Sequence, residues 1–336
     1  MRNLCIVVPK QIAEEVRREL ISRNLLTKHL TIFRENDKVI IPIRENVDLG
    51  YQIEERDFKE LFRPVTDYGE VTAIPENLKP LLPTAFDIIG DIVLIRLPTE
   101  LLEHGRAIGD GILKAHKNIR CVFADEGIDG EYRIRKVKYL TGENRTKTIH
   151  REYGLKYIVD VSKAYFSPRL ATERIRIAEQ VEPEESVLDL FTGVGPYAIM
   201  IAKKRRPSIV YAVDSNPNAY ALLQENVRIN KAERVKPLLG NAEETLKKIN
   251  SVDRLILDLP QSARDYYTQT LKSIKNGGIL HYYKILELAE LNERKLALVE
   301  DARRLGFKIN ILTLKEVKTY SPTQKHFAFD IKVFRE

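Results

Sequence analysis

The chain has 336 residues, 43% hydrophobic and 31% charged, with 55 Lys and Arg against 48 Asp and Glu and a formal net charge of +7. That length holds one catalytic domain plus one or two smaller modules, and the apolar share is that of packed domains. Only Cys5 and Cys121 are present, which excludes a disulfide framework and a thiolate metal cluster; no apolar stretch of about 18 residues offers a membrane span, and a secretion leader is missing, so a cytoplasmic, metal-free protein is expected.

Strand character at residues 4–8, a polar and apolar helix at 10–22 and the apolar core Val39-Ile-Ile-Pro-Ile43 predict a small α+β module over 1–62, ending near Phe62-Arg-Pro64. It contains no catalytic cluster, so recognition or scaffolding is its expected task. A turn-rich stretch through Pro80 and Pro83 leads to the apolar run Ile88 to Ile95, which reads as one central strand. A helix over 99–117, starting after Pro98 or Thr99, and strands at 121–123, 132–135, 147–150 and 157–160 complete a middle α+β module over 63–165. Next comes a helix from Thr172 to Glu179, with Thr172 as its cap and Glu173 near its positive end.

From 166 to 336 the pattern alternates. Strands at 187–191, 209–214, 235–239, 252–257 and 279–283 are separated by helical stretches, a long charged helix runs over 286–304, and two strands close the chain near 308–317 and 327–334. This predicts an α/β fold with a mostly parallel sheet whose ligands collect at the strand C-termini. No internal repeat is visible.

The stretch Ser186-Val-Leu-Asp-Leu-Phe-Thr-Gly-Val-Gly-Pro-Tyr197 is a strand, a turn and a helix start: Gly193 and Gly195 permit a tight turn with close ligand approach, and Pro196 opens the helix. Asp214 follows Gly195 by 19 residues, where a second strand delivers a carboxylate to ribose hydroxyls. The third glycine of the dinucleotide fingerprint is missing, which favours S-adenosylmethionine over NAD. Asp189 is placed for the methionine amine of that cofactor or for orienting the turn, and Asn241 for adenine or for capping a loop. Asp258-Leu-Pro260 is either a holder of a substrate amino or hydroxyl group or an ordinary turn stiffened by proline.

Residues 132–156 carry eight Lys or Arg and, as acids, only Glu143 and Glu152. Such a stretch is a phosphate-binding face or a solvated charged hairpin. Arg133 and Arg135 alternate on a predicted strand and so face one side, and Arg169 follows a rigid Ser-Pro pair; guanidinium groups clamp phosphates bidentately. Tyr165 and Phe166 offer either a base-stacking surface or an interdomain seal. Glu173 is a candidate general base for a weakly acidic ring N–H such as guanine N1, and Arg145 a candidate cation for charge developing on O6. Taken singly, each is as well explained by a surface ion pair.

Glu143-Asn-Arg-Thr146, Tyr165-Phe-Ser-Pro-Arg169, Glu173-Arg174, Asp189-Leu-Phe-Thr-Gly-Val-Gly-Pro196 and Asp258-Leu-Pro260, in this order, resemble the archaeal and eukaryotic tRNA (guanine-37-N1)-methyltransferase family, and the resemblance covers nearly the whole chain. The resemblance implies a class I Rossmann-like methyltransferase with two smaller N-terminal α+β modules, acting as a monomer on the anticodon loop and outer corner of tRNA, with no membrane and no obligate protein partner. It implies Glu173 as base and Arg145 as the O6-stabilising cation. Cofactor contacts fall on Tyr165, Phe166, Arg174, Asp189, Phe191, Gly193, Gly195, Asp214, Asn241 and Asp258, and substrate contacts on Arg133, Arg135, Arg169 and Pro260. Two positions depart from the family pattern, which has Asn-Leu-Pro in place of Asp258-Leu-Pro260 and an aspartate in place of Asn241. One archaeal branch that the chain resembles is bifunctional, also methylating 4-demethylwyosine at C7 to give isowyosine. The competing readings are a methyltransferase for rRNA or protein and an RNA-binding protein without catalysis.

Overall fold

The computed structural model describes residues 1–60 and 67–336. The expected boundary near Phe62-Arg-Pro64 lies outside the described residues. Contacts divide the chain into two compact units, Met1–Asp67 and Tyr68–Glu336.

In the smaller unit, β1 (Arg2–Pro9), α1 (Ala13–Ser22), β2 (Phe33–Glu35), β3 (Lys38–Pro42) and β4 (Gln52–Asp57) form an antiparallel sheet in the order β2-β3-β1-β4 with one helix. Strand alternation puts Ile6 and Val8 in one core with Val16 and Leu20 of α1, while Cys5 packs with Leu30, Ile40 and Phe58 in another.

The larger unit opens with β5 (Asp87–Ile89), β6 (Ile92–Ile95), α2 (Gly105–Ala115), β7 (Cys121–Asp129) and β8 (Ile134–Gly142), a sheet ordered β5-β6-β7-β8. The apolar run 88–95, expected as one strand, is an antiparallel hairpin that folds back at Gly90-Asp91, with Gly90 in the left-handed region at φ +59°. Continuous apolarity reflects burial on both faces: Val93 and Ile95 pack with Ile108 and Ile112 of α2, and Ile92 and Leu94 join the core that contains Tyr157 and Phe166. The expected helix over 99–117 begins as a 3-10 turn, Thr99–His104, and becomes α2 only at Gly105.

A separate hairpin follows, β9 (Lys147–Glu152) and β10 (Leu155–Asp160), turning through Tyr153 and Gly154. Although these strands read as part of the middle module, only β9 bonds back to it, through His150 and Thr148 at the Gly90-Asp91 turn, whereas β10 bonds to α5 (Pro217–Asn230). Asn226 is fully buried there, its Oδ1 accepting the Ile158 N–H at 2.6 Å while its Nδ2 donates to the Ile158 and Val194 carbonyls, both at 3.0 Å.

After α3 (Ala171–Gln180) the chain builds β11 (Ser186–Asp189), α4 (Pro196–Lys204), β12 (Ile209–Asp214), α5, β13 (Val235–Leu239), α6 (Ala242–Lys248), β14 (Val252–Leu257), α7 (Ala263–Ser273), β15 (Ile274–Glu287), α8 (Leu291–Arg304), β16 (Phe307–Thr319) and β17 (Gln324–Arg335). Thr172 lies inside α3 and does not cap it; the cap position is Leu170, without a side-chain bond. β15 also reaches further than the expected 279–283, absorbing Asn276-Gly-Gly278, so α8 starts later than predicted.

The seven strands are ordered β13-β12-β11-β14-β15-β17-β16, with β11 to β15 parallel and β17 antiparallel to both its neighbours. From β11 the chain winds first toward β12 and β13 and then crosses to β14. That reversal leaves a crevice at the carboxyl end of β11, flanked by the ends of β12 and β14.

Candidate active site

The crevice is built by the turn after β11. Gly193 and Gly195 both take left-handed backbone, at φ +58° and +86°. Their demands differ. A Cβ on Gly195 would stand 2.3 Å from Leu223 Cδ1 and 3.2 Å from Ile199 Cδ1, so this glycine serves close packing of α4 on α5, whereas one on Gly193 would meet only the Tyr165 carbonyl at 3.4 Å. Asp214, at the end of β12, ties the turn down by accepting the Gly193 N–H at 2.7 Å and the Asn216 N–H at 2.9 Å.

Three carboxyls gather here from adjacent strands: Asp189 at the end of β11, Asp214 at the end of β12 and Asp258 just past β14. Burial raises all three above the ordinary carboxylate range, Asp189 to about 7 and Asp258 to about 6. Asp189 receives a hydrogen bond from the Thr192 hydroxyl at 2.6 Å, and the neighbouring Asp258 and Asp214 charges push it further up. No hydrogen-bond donor reaches Asp258 among the described residues; His326 Nε2 stands 3.7 Å away, and burial beside Lys318 keeps that imidazole neutral, at about 4. None of these acids has a Lys or Arg ion pair among the described residues, which suits them to a cation. S-adenosylmethionine carries two positive centres, an ammonium and a sulfonium, and so fits the donor set.

Glu173, in the first turn of α3, is 2% exposed. Oε1 accepts from Arg176 Nη2 at 2.6 Å and from the Tyr283 hydroxyl at 2.8 Å, and Oε2 from Arg176 Nε at 2.8 Å. Arg176 also bonds Asp330, which in turn holds His281. Arg174 and Phe166, expected at the cofactor, are instead packed on each other: the guanidinium lies 4.7 Å from the Phe166 ring centroid and bonds Glu152 at 2.5 Å and the Ser167 carbonyl at 2.8 Å. His150 and Tyr157 cover the rest of that ring, which makes it a wall of the core.

Beside the carboxyl cluster lies a cleft of about 300 Å³ whose walls include Arg96, Arg135, Tyr165, Arg169, Lys318 and Tyr320. The predicted phosphate clamps are partly neutralised within it. Arg135 bonds Asp87 at 2.8 Å and Asp125, and Arg169 bonds Asp87 at 2.6 Å. Arg133 does not alternate with Arg135 on a strand: it precedes β8 in left-handed backbone at φ +54°, and its guanidinium donates to Gln261 Oε1 in the loop after Asp258. Gln261 donates onward to the Tyr320 hydroxyl at 3.1 Å.

Arg145 sits elsewhere. It forks onto Asp91, with Nη1 to Oδ1 at 3.1 Å, and onto Glu143 at 2.7 Å, and it shares no hydrogen-bond partner with Glu173. The turn between β5 and β6 supplies Asp91, so the very hairpin the apolar run concealed captures this arginine. Near the carboxyls, Lys318, Arg174 and Arg133 pull the Asp258 carboxyl down, in that order; Arg174 is held in the core by Glu152, which leaves Arg133 as the arginine free to serve the crevice.

Asn241 is exposed and caps α6, its Oδ1 accepting the Glu244 N–H at 2.8 Å. Phe191 packs edge-on against Tyr266 at 5.2 Å, and the Pro260 carbonyl accepts the Ile285 N–H at 3.4 Å. Sequence patterns gave no sign of Lys318, Tyr320, Tyr283 or Arg176. Lys318 reaches Ser167 Oγ at 3.3 Å from the terminal hairpin, where only its strand period was readable.

A parallel sheet in this order, with a glycine turn and acids at its switch point, defines a Rossmann-like methyltransferase. Residues 148–312 match the TRM5/TYW2 methyltransferase domain, 71–146 the TYW2 N-terminal domain and 5–49 the tRNA methyltransferase 5 N-terminal domain. Among relatives, the tRNA (guanine(37)-N(1))-methyltransferase Trm5b of Pyrococcus abyssi is 38% identical over 333 residues, 98% of this chain and 99% of that protein. Its crystal structure superposes with a TM-score of 0.81 over 99% of both chains. The tRNA 4-demethylwyosine(37)-methyltransferase Taw21 of Saccharolobus solfataricus is 33% identical over 73% of this chain and 92% of its own length. The M. jannaschii TYW2 solved in complex with AdoMet (S-adenosylmethionine) is 26% identical with a TM-score of 0.58, over 75% of this chain and all of that one. The chain belongs to the TRM5/TYW2 methyltransferase family.

Proposed function

We propose that this protein transfers the methyl group of S-adenosylmethionine to N1 of guanosine 37 in tRNA. The observation that carries the reading is the meeting of two cation-seeking carboxyls, Asp189 and Asp258, with buried Glu173, beside a basic cleft walled by Tyr165. The Trm5b relative, matched over nearly its whole length, performs the reaction its name states.

When bound, S-adenosylmethionine supplies an electrophilic methyl on a sulfonium. Asp189 faces its ammonium, and the turn at Gly193 leaves room for the adenosine. Tyr165 forms one wall for the target base, which must leave its stack to reach the crevice. Glu173 takes the N1 proton; its Oε1 accepts from Arg176 and from the Tyr283 hydroxyl, which in turn accepts from Tyr197 at 3.4 Å. Arg133, rather than Arg145, stabilises charge growing on O6. The Met1–Asp67 unit engages the outer corner of the tRNA, and the protein acts as a cytoplasmic monomer.

The Taw21 relative supports a second activity, C7 methylation of 4-demethylwyosine 37 to isowyosine. Asp258 accommodates the altered ring edge in that reading. Nucleoside analysis of guanosine-37 and 4-demethylwyosine-37 tRNAs, each incubated with protein and labelled S-adenosylmethionine, tests both: 1-methylguanosine and isowyosine are the expected products. Label in rRNA or protein in place of tRNA would overturn the assignment.

A further inference from the structure

The basic stretch 132–156 divides once its partners are known. Arg135 pairs with Asp87 and Asp125, Lys136 with Asp129, Arg145 with Asp91 and Glu143, and Lys147 with Glu225. Arg133 is held by Gln261. Lys138 of β8, Arg151 of β9 and Lys156 of β10 have no carboxylate partner among the described residues and are exposed; of these, the register sets Arg151 and Lys156 directly opposite each other. Like charges facing across two strands repel. The next outward pair along the hairpin is Ile149 opposite Ile158, with Ile149 51% exposed.

This face borders a second cleft, of about 640 Å³, lined by the Gly90-Asp91 turn, Arg145, Lys147, Ile149 and Arg151. Its one acid, Asp91, is already satisfied by Arg145 and by the Thr148 hydroxyl at 2.7 Å, so it does not offset the remaining cations. The hairpin of β5 and β6 links the two clefts. Asp87 and Leu94 line the one beside the carboxyl cluster, and Gly90 and Asp91 line this one. Three residue steps of strand at about 3.3 Å each separate them by about 10 Å.

We propose that this second cleft and the hairpin face beside it bind backbone phosphates of the RNA flanking the target nucleotide, with Arg151 on the cleft wall and Lys156 opposite it on β10 as the phosphate ligands and Ile149 against the intervening ribose. The proposal rests on the reading of the chain as a tRNA-modifying enzyme. Guanidinium and ammonium donors suit phosphodiester oxygens, and the counterions released make such binding salt-dependent, about 0.7 to 0.9 in the log–log slope per phosphate. An anion between the two cations removes their mutual repulsion.

The experiment uses the full-length protein and a tRNA transcript with guanosine 37, measuring binding over a salt series. R151E/K156E is expected to weaken binding at least about tenfold near 0.1 M salt and to flatten the slope by about one to two, with S-adenosylmethionine affinity unchanged. K308E, which reverses another exposed lysine on β16, should move neither. R151A/K156A guards against misfolding, since removing a repelling pair should leave the melting temperature level or higher. Binding within twofold of wild type with an unchanged slope would overturn the proposal, as would a melting temperature several degrees lower in R151A/K156A, which would make the pair structural. Wild-type protein that binds tRNA through this pair but transfers no methyl group would refute the functional reading and leave the cleft standing.

Discussion

Cofactor affinity should depend on pH through Asp189. Its carboxyl is raised to about 7 by burial, so it is about nine-tenths ionised at pH 8 and about one-tenth at pH 6. A cationic ligand binds the ionised form, and at the lower pH a proton must leave first. Affinity therefore rises with pH: the Kd for S-adenosylmethionine should increase about tenfold between pH 8 and pH 6, with about a further twofold from Asp258 at about 6. Isothermal titration calorimetry in buffers of different ionisation enthalpy reads both parts, since about 0.9 of a proton from Asp189 and about 0.5 from Asp258 should be released per cofactor bound at pH 6 and little at pH 8. D189N should bind more weakly at pH 8 and keep only the smaller slope. A wild-type Kd that changes less than twofold across this range, or a D189N profile as steep as wild type, would refute the argument. The same shift acts on stability with the opposite sign. The folded state holds this proton to higher pH than the unfolded chain does, so the contribution of Asp189 to the stability of the cofactor-free protein is full below pH 3.8 and is lost as the pH rises from there through about 7, a trend D189N should remove.

The two arginines should separate in single-turnover assays. R133A is expected to lower the methyl-transfer rate at saturating tRNA by about 10²-fold, while R145A lowers the melting temperature by leaving Asp91 unpaired and changes the rate by less than about threefold; the reverse ranking would restore Arg145 to the chemistry. E173Q should lose about 10²- to 10⁴-fold in rate with little change in cofactor Kd, and a larger loss in D258N than in E173Q would move the proton acceptor to Asp258. D258N assayed on guanosine-37 and 4-demethylwyosine-37 tRNAs should shift the ratio of the two activities, whereas equal loss or equal retention of both would sink the selectivity role. G195A places a methyl 2.3 Å from Leu223 in left-handed backbone and should cost about 2–4 kcal/mol in chemical denaturation, with an unfolding midpoint equal to wild type as the contrary result.

Much of the catalytic domain was legible because its signals are local. An apolar run of strand length, a glycine turn, a proline at the first helical position and an acid at the next strand end are each written in a few consecutive residues, and the right-handed crossover leaves few sheets they can build. Asp189, Gly193, Gly195 and Asp214 accordingly lie where their spacing put them. The family resemblance turned Glu173 from one candidate, as well explained by an ion pair, into the base, and it added the target, which composition and periodicity could not reach.

Long-range pairing was not legible. Ile88 to Ile95 reads as one strand because both faces are buried, and only the packed sheet reveals the bend at Gly90-Asp91. That bend brings Asp91 to Arg145 across 54 residues of chain, while Gln261 meets Arg133 across 128, so which arginine stands near the chemistry was decided by tertiary register and by no motif. Phe166 and Arg174 went to the core for the same reason, and Lys318 and Tyr320 reached the cleft only because β16 pairs antiparallel with β17 at the sheet edge. Backbone preference and hydrophobic period act over a turn or two of chain; the partner a charged side chain finds is set by which strands lie beside one another, and that is a property of the folded protein.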